Sequence, residues 1–235
     1  MTTTMAHRGP IEDGTWPERL QGHVVDPGPP VRVHGYAAVE DLARHHGFPE
    51  LTLLAFTGEL PSSEQVAMCE LAWSLLAPID VGASPTHAAL LARMLVAPAA
   101  SVVALAAATV SEEAAALLEQ HGPWLRRCSE LPCVYPAARE GDAVLVATMR
   151  ARLGDSSATL PWLREAASAE AAALALLQAC GLREPLQLIA VVVQARLPCV
   201  IAEAERHVPR RLSHYPIQQP PFDYVEADDD DGGAP

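Results

Sequence analysis

The chain has 235 residues, of which 50% are hydrophobic and only 5% aromatic, and its formal net charge is −13. This length suits one large domain, and the abundance of alanine and leucine favours packed helices over a β-sandwich. The negative charge argues against a nucleic-acid partner, which would require a basic surface. All 16 basic residues are arginine, so a lone arginine is weak evidence of function in this chain.

The two ends differ in composition from the middle of the chain. Residues 1–31 are rich in proline, glycine and charge, without the apolar stretch of a signal peptide, and we predict an N-terminal arm there. Residues 226–235 include four consecutive aspartates, which is typical of a disordered acidic tail. Residues 32–225 are predicted to form the helical domain.

Three helices are predicted at the start of this domain. The first ends at Gly47, and the second opens at Pro49 and ends at Gly58. Ser62 and Gln65 predict a capping box that begins the third. The third helix has one apolar face: Val66, Cys69, Trp73 and Leu76.

The segment 94–110 is apolar, but Pro98 and Ser101 interrupt it. It predicts two helices that meet at the proline, not a membrane span. The apolar stretches 88–110 and 186–193 exceed what a chain of this size easily covers, which predicts a dimer with no membrane partner.

The five cysteines are odd in number and lack the spacing of a metal site, so we expect reduced thiols in a cytoplasmic protein and no metal.

The stretch 186–211 reads as an apolar helix carrying Arg196 and followed by Arg210 and Arg211. A guanidinium suits a ligand carboxylate because it binds both carboxylate oxygens. The alternative is a buried helix in which Arg196 pairs with a structural acid.

Several segments, in order, resemble the citrate synthase family, including its short citryl-CoA lyase-like members. They are GYAAVEDLA, FPELTLLAFTGELPSSEQ, SPTHAALLARML, AAALALLQACGL and ARLPCVIAEAE. The resemblance implies an all-α, dimeric fold with a large helical domain and a smaller lobe. It also implies chemistry between an acyl-CoA and a 2-oxo acid, with a coenzyme A thioester as ligand and no resident cofactor.

The family's histidine positions are altered. Val81 stands where the resemblance places the histidine that holds the oxo acid, and His87 is a candidate replacement or a plain surface histidine. Residues 108–114 stand where the enol-holding histidine is expected, but contain neither histidine nor glycine. His121, the nearest histidine to this stretch, is interpreted as lying at a helix end closed by Gly122.

The catalytic aspartate of the family aligns with Glu170, which keeps the carboxylate but adds a methylene. The alternative is that Ser168 caps a helix and Glu170 complements its positive end. The family's substrate arginine aligns with Arg196, and Arg210 or Arg211 resembles the late arginine that serves the partner's site.

Altered site positions in a preserved scaffold predict a degenerate catalytic site. The first hypothesis is a bacterial, cytoplasmic, non-catalytic or regulatory subunit, paired as a homodimer or with an active paralogue. The second is an active citrate synthase or citryl-CoA lyase-like enzyme of altered specificity with Glu170 as base. A third is an acyl-CoA- or metabolite-binding module.

Overall fold

The computed structural model describes residues 19–128, 139–164 and 168–207 of the chain. Its only strands within these ranges form a small antiparallel sheet in the order β1-β2-β3, with Val25 opposite Val33 and Arg32 opposite Ala37. The strands are β1 (Val25–Asp26), β2 (Arg32–Val33) and β3 (Tyr36–Ala37). β1 lies in the predicted arm yet pairs with β2 of the predicted domain.

The rest of the described structure is helical, which confirms the predicted all-α class. A π-helical turn, Ala38–Leu42, leads into the first helix, and two 3₁₀ segments, Gly154–Thr159 and Pro161–Arg164, precede α7. The helices are α1 (Ala43–His45), α2 (Phe48–Thr57), α3 (Ser63–Leu76), α4 (Ser84–Met94), α5 (Ala99–Leu125), α6 (Asp142–Leu153), α7 (Ala169–Ala179) and α8 (Pro185–Arg206).

The predicted helix boundaries are largely confirmed. Gly58 ends α2 with a φ of 79°, a conformation that glycine adopts without a steric cost. The capping box that begins α3 is present: the Gln65 N–H donates to Ser62 Oγ at 3.2 Å, and the Ser62 N–H donates to Gln65 Oε1 at 2.9 Å. Pro98 is the N-cap of α5, so the apolar segment 94–110 is divided between two helices as expected.

The predicted end of α5 at Gly122 is wrong, since the helix continues through Pro123 to Leu125. A proline in the last turn removes a single backbone hydrogen bond. Trp124 and Leu125 are both buried, and Trp124 packs edge-on against Trp162 at a centroid distance of 6.0 Å. Burial of these side chains outweighs the lost hydrogen bond.

The main core surrounds α7. Every residue of α7 from Ala169 to Leu177 is buried except Glu170, and this helix packs against α3, α5 and α6. Small alanine side chains let the neighbouring backbones approach closely, while Leu174, Leu176 and Leu177 fill the space between them. We call this region the α7 core.

A second, smaller cluster joins α4, α5 and α8. By length and composition alone, α5 and α8 could each cross a membrane: the mean hydropathies of their most apolar windows are 1.5 and 1.7. Only 28% of the window in α5 and 33% of the window in α8 are buried. Large aliphatic side chains remain exposed around the turn between α4 and α5. We call these residues the α4–α5 surface: Leu95, Val96, Val103 and Leu105.

Val96 ends α4 in an unusual conformation. Its φ is 59°, in the left-handed region that a β-branched residue rarely adopts. The Ala97 N–H donates to the Ala92 carbonyl at 3.0 Å, and the Val96 N–H donates to the Arg93 carbonyl at 3.1 Å. These two bonds form a Schellman motif with valine at the position that glycine usually occupies.

Candidate functional site

Arg196 lies in the middle of α8 and is almost fully buried, with 4% of its surface exposed. Its Nε donates to the Leu76 carbonyl at 3.1 Å, Nη1 to Glu113 Oε1 at 2.6 Å, and Nη2 to Glu170 Oε1 at 3.4 Å. Each nitrogen of the guanidinium therefore has an acceptor within the chain. A buried guanidinium requires such partners because an unpaired charge is costly to remove from water.

Glu170 lies in the first turn of α7 and reaches the same guanidinium. Ser168 is the N-cap, since its Oγ accepts from the Ala171 N–H at 3.3 Å. The other carboxylate oxygen, Oε2, lies 3.0 Å from Arg139 Nη1, and Arg139 is largely exposed. Glu170 is thus held between two arginines at the positive end of a helix.

The polar and charged groups around Glu170 favour its ionised form. His121, Arg139 and Arg196 hold the pKa of the Glu170 carboxyl below its ordinary value, and they outweigh the opposing effect of burial. A carboxylate with a lowered pKa is a weaker base. This environment therefore makes Glu170 less suited to remove a proton from carbon near neutral pH.

His121 and Glu113 complete the charged cluster from α5. His121 is 2% exposed, and its Nε2 lies 3.9 Å from Glu170 Oε2, which is close but beyond hydrogen-bond distance. Both ring nitrogens of His121 and the Oε2 atom of Glu113 are buried without a hydrogen-bond partner in the described part of the chain. We call these five residues the Arg196 cluster: Glu113, His121, Arg139, Glu170 and Arg196.

Two of the predicted site residues, Glu170 and Arg196, are brought together. His87 is solvent-exposed in the first turn of α4, unlike the buried His121. Val81 is about half exposed in the loop before α4. Arg210 and Arg211 lie outside the described residues, so their predicted role in a partner's site stays a prediction.

Sequence reasoning missed Glu113, His121 and Arg139 as neighbours of Glu170 and Arg196. A local signal existed for His121: it continues the buried face of α5 formed by Val110, Ala114 and Leu117 at helical spacing. Such a stripe indicates burial of the histidine but does not indicate which helix it faces.

Metal binding finds no support among the described residues, where no group of three or more histidine, cysteine, aspartate or glutamate side chains has the geometry to hold an ion. Among the described residues, Cys69, Cys180 and Cys199 form no disulfide bond.

A cavity of about 460 Å³ opens between α2, α3 and the loop before α8. Its charged lining consists of Glu59, Arg183 and Glu184. Two carboxylates and one guanidinium do not suit the phosphates of a coenzyme A thioester, which require a net positive lining. This cavity therefore gives no support for that ligand.

The helical arrangement defines the class of protein: the fold is citrate synthase-like. The chain is similar to citryl-CoA lyase from Hydrogenobacter thermophilus, with a TM-score of 0.54, 13% identity, and coverage of 88% of this chain and 97% of that one. The resemblance noted in the sequence is thus confirmed at the level of fold.

Two ATP citrate lyase structures are also similar, although the chain spans less than half of each. That of Methanothrix soehngenii, in complex with citrate and coenzyme A, matches with a TM-score of 0.58 and 12% identity over 93% of this chain and 44% of that one. A variant from Methanosaeta concilii, in complex with (3S)-citryl-CoA, matches with a TM-score of 0.61 and 13% identity over the same shares. No family model and no curated protein matches the sequence.

Proposed function

We propose that this protein is a non-catalytic or regulatory subunit with a citrate synthase-like fold, which pairs with an active enzyme that makes or breaks a carbon–carbon bond between an acyl-CoA and a 2-oxo acid. The observation that carries the proposal is the internal pairing of the two residues expected to do chemistry. Glu170 is held by Arg139 and Arg196, and Arg196 is held by Glu113, Glu170 and the Leu76 carbonyl.

Acid–base chemistry requires the opposite arrangement. A base that removes a proton next to a thioester works best when its pKa lies near the operating pH, whereas the pKa of Glu170 is lowered. The developing enolate also requires a donor aimed at its oxygen. In the stretch aligned with the enol-holding motif, Glu113 directs a carboxylate toward Arg196 instead.

The exposed apolar surface supports the pairing with another subunit. Only 28% and 33% of the apolar windows of α5 and α8 are buried, and the α4–α5 surface adds exposed aliphatic side chains. Exposed aliphatic side chains on long apolar helices are common at protein interfaces. We expect the active enzyme to be a paralogue of this chain, and a homodimer of this chain is the alternative assembly.

A turnover assay on the purified chain tests the catalytic part of the proposal. Acetyl-CoA with oxaloacetate, and separately citryl-CoA, are the substrates. Loss of an oxyanion donor alone typically lowers a rate by about a hundred- to a thousandfold, so we expect no turnover above background. Turnover within about tenfold of ordinary enzyme rates contradicts the proposal.

Co-purification from the native host tests the pairing. We expect a citrate synthase-family protein with an intact site to be recovered with the wild-type chain and to be lost with Leu105→Asp, which places a charge on the α4–α5 surface. Val144→Asp is the matched control, because Val144 is 69% exposed on α6. Equal recovery with both variants contradicts this interface.

One observation favours a second candidate, an active enzyme with Glu170 as base. The structure places Glu170 3.4 Å from Arg196 and 3.9 Å from His121, so a carboxylate, a guanidinium and an imidazole converge. Under this alternative the purified chain turns over citryl-CoA, and Glu170→Gln abolishes that activity.

A further inference from the structure

The cavity between α2, α3 and the loop before α8 lies at the opposite end of α7 from the Arg196 cluster. Glu170 is in the first turn of α7, whereas Cys180, which lines the cavity, is the C-cap of the same helix. At 1.5 Å per residue, the 11 residues of α7 separate the two places by roughly 16 Å along the helix axis. The described residues that line the cavity include no member of the Arg196 cluster, so it is a separate site.

The walls of this cavity are joined by hydrogen bonds between distant parts of the chain. Gln187 Nε2 donates to the Phe56 carbonyl at 3.2 Å, which joins α8 to α2. The Oε1 atom of Gln187 accepts from the Arg183 N–H at 3.0 Å and so fixes the backbone of the loop before α8. Cys180 Sγ donates to the Gln65 carbonyl at 3.2 Å, which joins the end of α7 to α3. The cavity is therefore formed before any ligand arrives, which lowers the ordering cost of binding.

The inner wall of the cavity is apolar. Leu53 and Cys180 are buried there, and Phe56 and Leu60 are partly buried. Burial raises the pKa of the Cys180 thiol to about 12, so near neutral pH this side chain is an uncharged, largely apolar group. A cavity of about 460 Å³ is within the range of roughly 300–1,000 Å³ that is usual for small-molecule sites. This wall suits an aliphatic side chain of a ligand.

The solvent side of the cavity carries charges of both signs. Glu59, Arg183 and Glu184 line it and are all exposed. Within the described ranges none of the three belongs to an ion pair, although they line the same cavity. A guanidinium without an acidic partner suits a ligand carboxylate, and carboxylates without a basic partner suit an ammonium group. The two signs together favour a zwitterion over a simple anion or cation.

We propose that this cavity binds a free α-amino acid with an aliphatic side chain of about the size of leucine. The aliphatic group packs against Leu53 and Phe56, Arg183 binds the α-carboxylate, and Glu59 and Glu184 attract the α-ammonium group. This site goes beyond the proposed function, because it gives the chain an effector site that is independent of the Arg196 cluster.

Titration calorimetry of the full chain with L-leucine tests the proposal. A dissociation constant of about 0.1–1 mM suits so small a ligand with exposed charged partners. Glycine is the matched control, since it carries the same two charges without the aliphatic group, and we expect it not to bind at about 10 mM. If leucine does not bind at this concentration, or if glycine binds as tightly as leucine, the inference is wrong.

Two analogues test the need for both charges on the wild-type protein. 3-Methylbutylamine is leucine without its carboxylate, and 4-methylpentanoate is leucine without its ammonium group. Each loses one set of charge-assisted hydrogen bonds, so we expect each to bind at least about tenfold more weakly than leucine. Equal affinity for the amine would indicate a cation site, and equal affinity for the carboxylate an anion site; either result overturns the inference.

Arg183→Gln identifies the carboxylate partner. We expect this variant to bind leucine about tenfold more weakly than wild type, but to bind 3-methylbutylamine equally well, because the amine has no carboxylate to lose. Arg206→Gln is the matched control, since Arg206 is also exposed but lies at the far end of α8. Equal leucine affinity of the two variants contradicts the assignment.

The test is independent of the proposed subunit role. Absence of leucine binding leaves the proposal of a non-catalytic subunit standing, and turnover by the purified chain leaves the amino-acid site standing.

Discussion

The α7 core and the α4–α5 surface are both built from small and aliphatic residues, yet the first is closed and the second is open. From Ala169 to Leu177, α7 exposes only part of Glu170. In contrast, Val103 and Leu105 on α5 are 42% and 40% exposed. The difference shows that apolar composition does not by itself place a helix in the interior. Neighbours on all sides enclose α7, whereas α5 has neighbours within the chain on only part of its surface.

The largest expected effect comes from a cavity in the α7 core. Leu174→Ala removes a fully buried side chain, and we expect it to lower the free energy of unfolding by about 2–5 kcal/mol. Leu186→Ala is the matched control, because Leu186 is 77% exposed at the start of α8; its effect should stay within about 0.5 kcal/mol. Urea unfolding measures the free energy of unfolding of both variants. If the two substitutions lower it equally, the comparison between the closed and the open region is wrong.

The charged end of the α7 core should be nearly as sensitive. Arg196→Met removes the shared partner of Glu113 and Glu170, and we expect it to lower the free energy of unfolding by about 3 kcal/mol. This value lies at the lower end of the range for a broken buried ion pair because Glu113 can turn toward solvent. Arg206→Met, at the exposed end of α8, is the control and should have little effect. A loss below about 1 kcal/mol for Arg196→Met would contradict a stabilising role of the cluster.

The pH dependence of stability should depend on Glu170. The pKa of this carboxyl is lower in the folded state than in the unfolded state. Its contribution to the free energy of unfolding is therefore fully present above the unfolded-state pKa and is lost as the pH falls through the folded-state pKa. Glu170→Gln should therefore be less stable than wild type at pH 7, and the difference should shrink toward pH 3. Urea midpoints at both pH values measure this, and a difference that does not change with pH would contradict the assigned ionisation.

The smallest expected effect has the opposite sign and belongs to the open region. Val96→Gly places glycine at the left-handed position that ends α4, which relieves strain of about 1–2 kcal/mol but adds freedom to the unfolded chain. We expect the free energy of unfolding of the isolated chain to rise by about 0.5–1 kcal/mol, since Val96 is 70% exposed and little apolar surface is lost with its side chain. Thermal unfolding of this variant beside Val144→Gly, a control within α6 that should be destabilised, checks the prediction.

Local features of the fold could be predicted from the sequence, because their determinants are close together. The capping box of Ser62 and Gln65 and the N-cap at Ser168 each depend on residues three positions apart. The end of α5 could not be predicted in the same way. Gly122 and Pro123 indicate termination locally, and only the burial of Trp124 in the folded chain explains why the helix continues.

The candidate site was predictable only in part for a related reason. Glu170 and Arg196 could be aligned with a known family, but alignment does not reveal which side chains neutralise them. Glu113 lies 83 positions before Arg196, and no local pattern joins the two. The pairing follows from how α5 and α8 cross, which is a property of the whole fold.

The packing of α5 against α8 also constrains how the chain is made. α5 ends at Leu125, and α8 begins only at Pro185. At a synthesis rate of 5–20 residues per second, roughly 3–12 seconds pass between the emergence of one helix and the arrival of the other. During that interval the part of α5 that later contacts α8 is exposed to water, so we expect a chain truncated before Pro185 to be prone to aggregation.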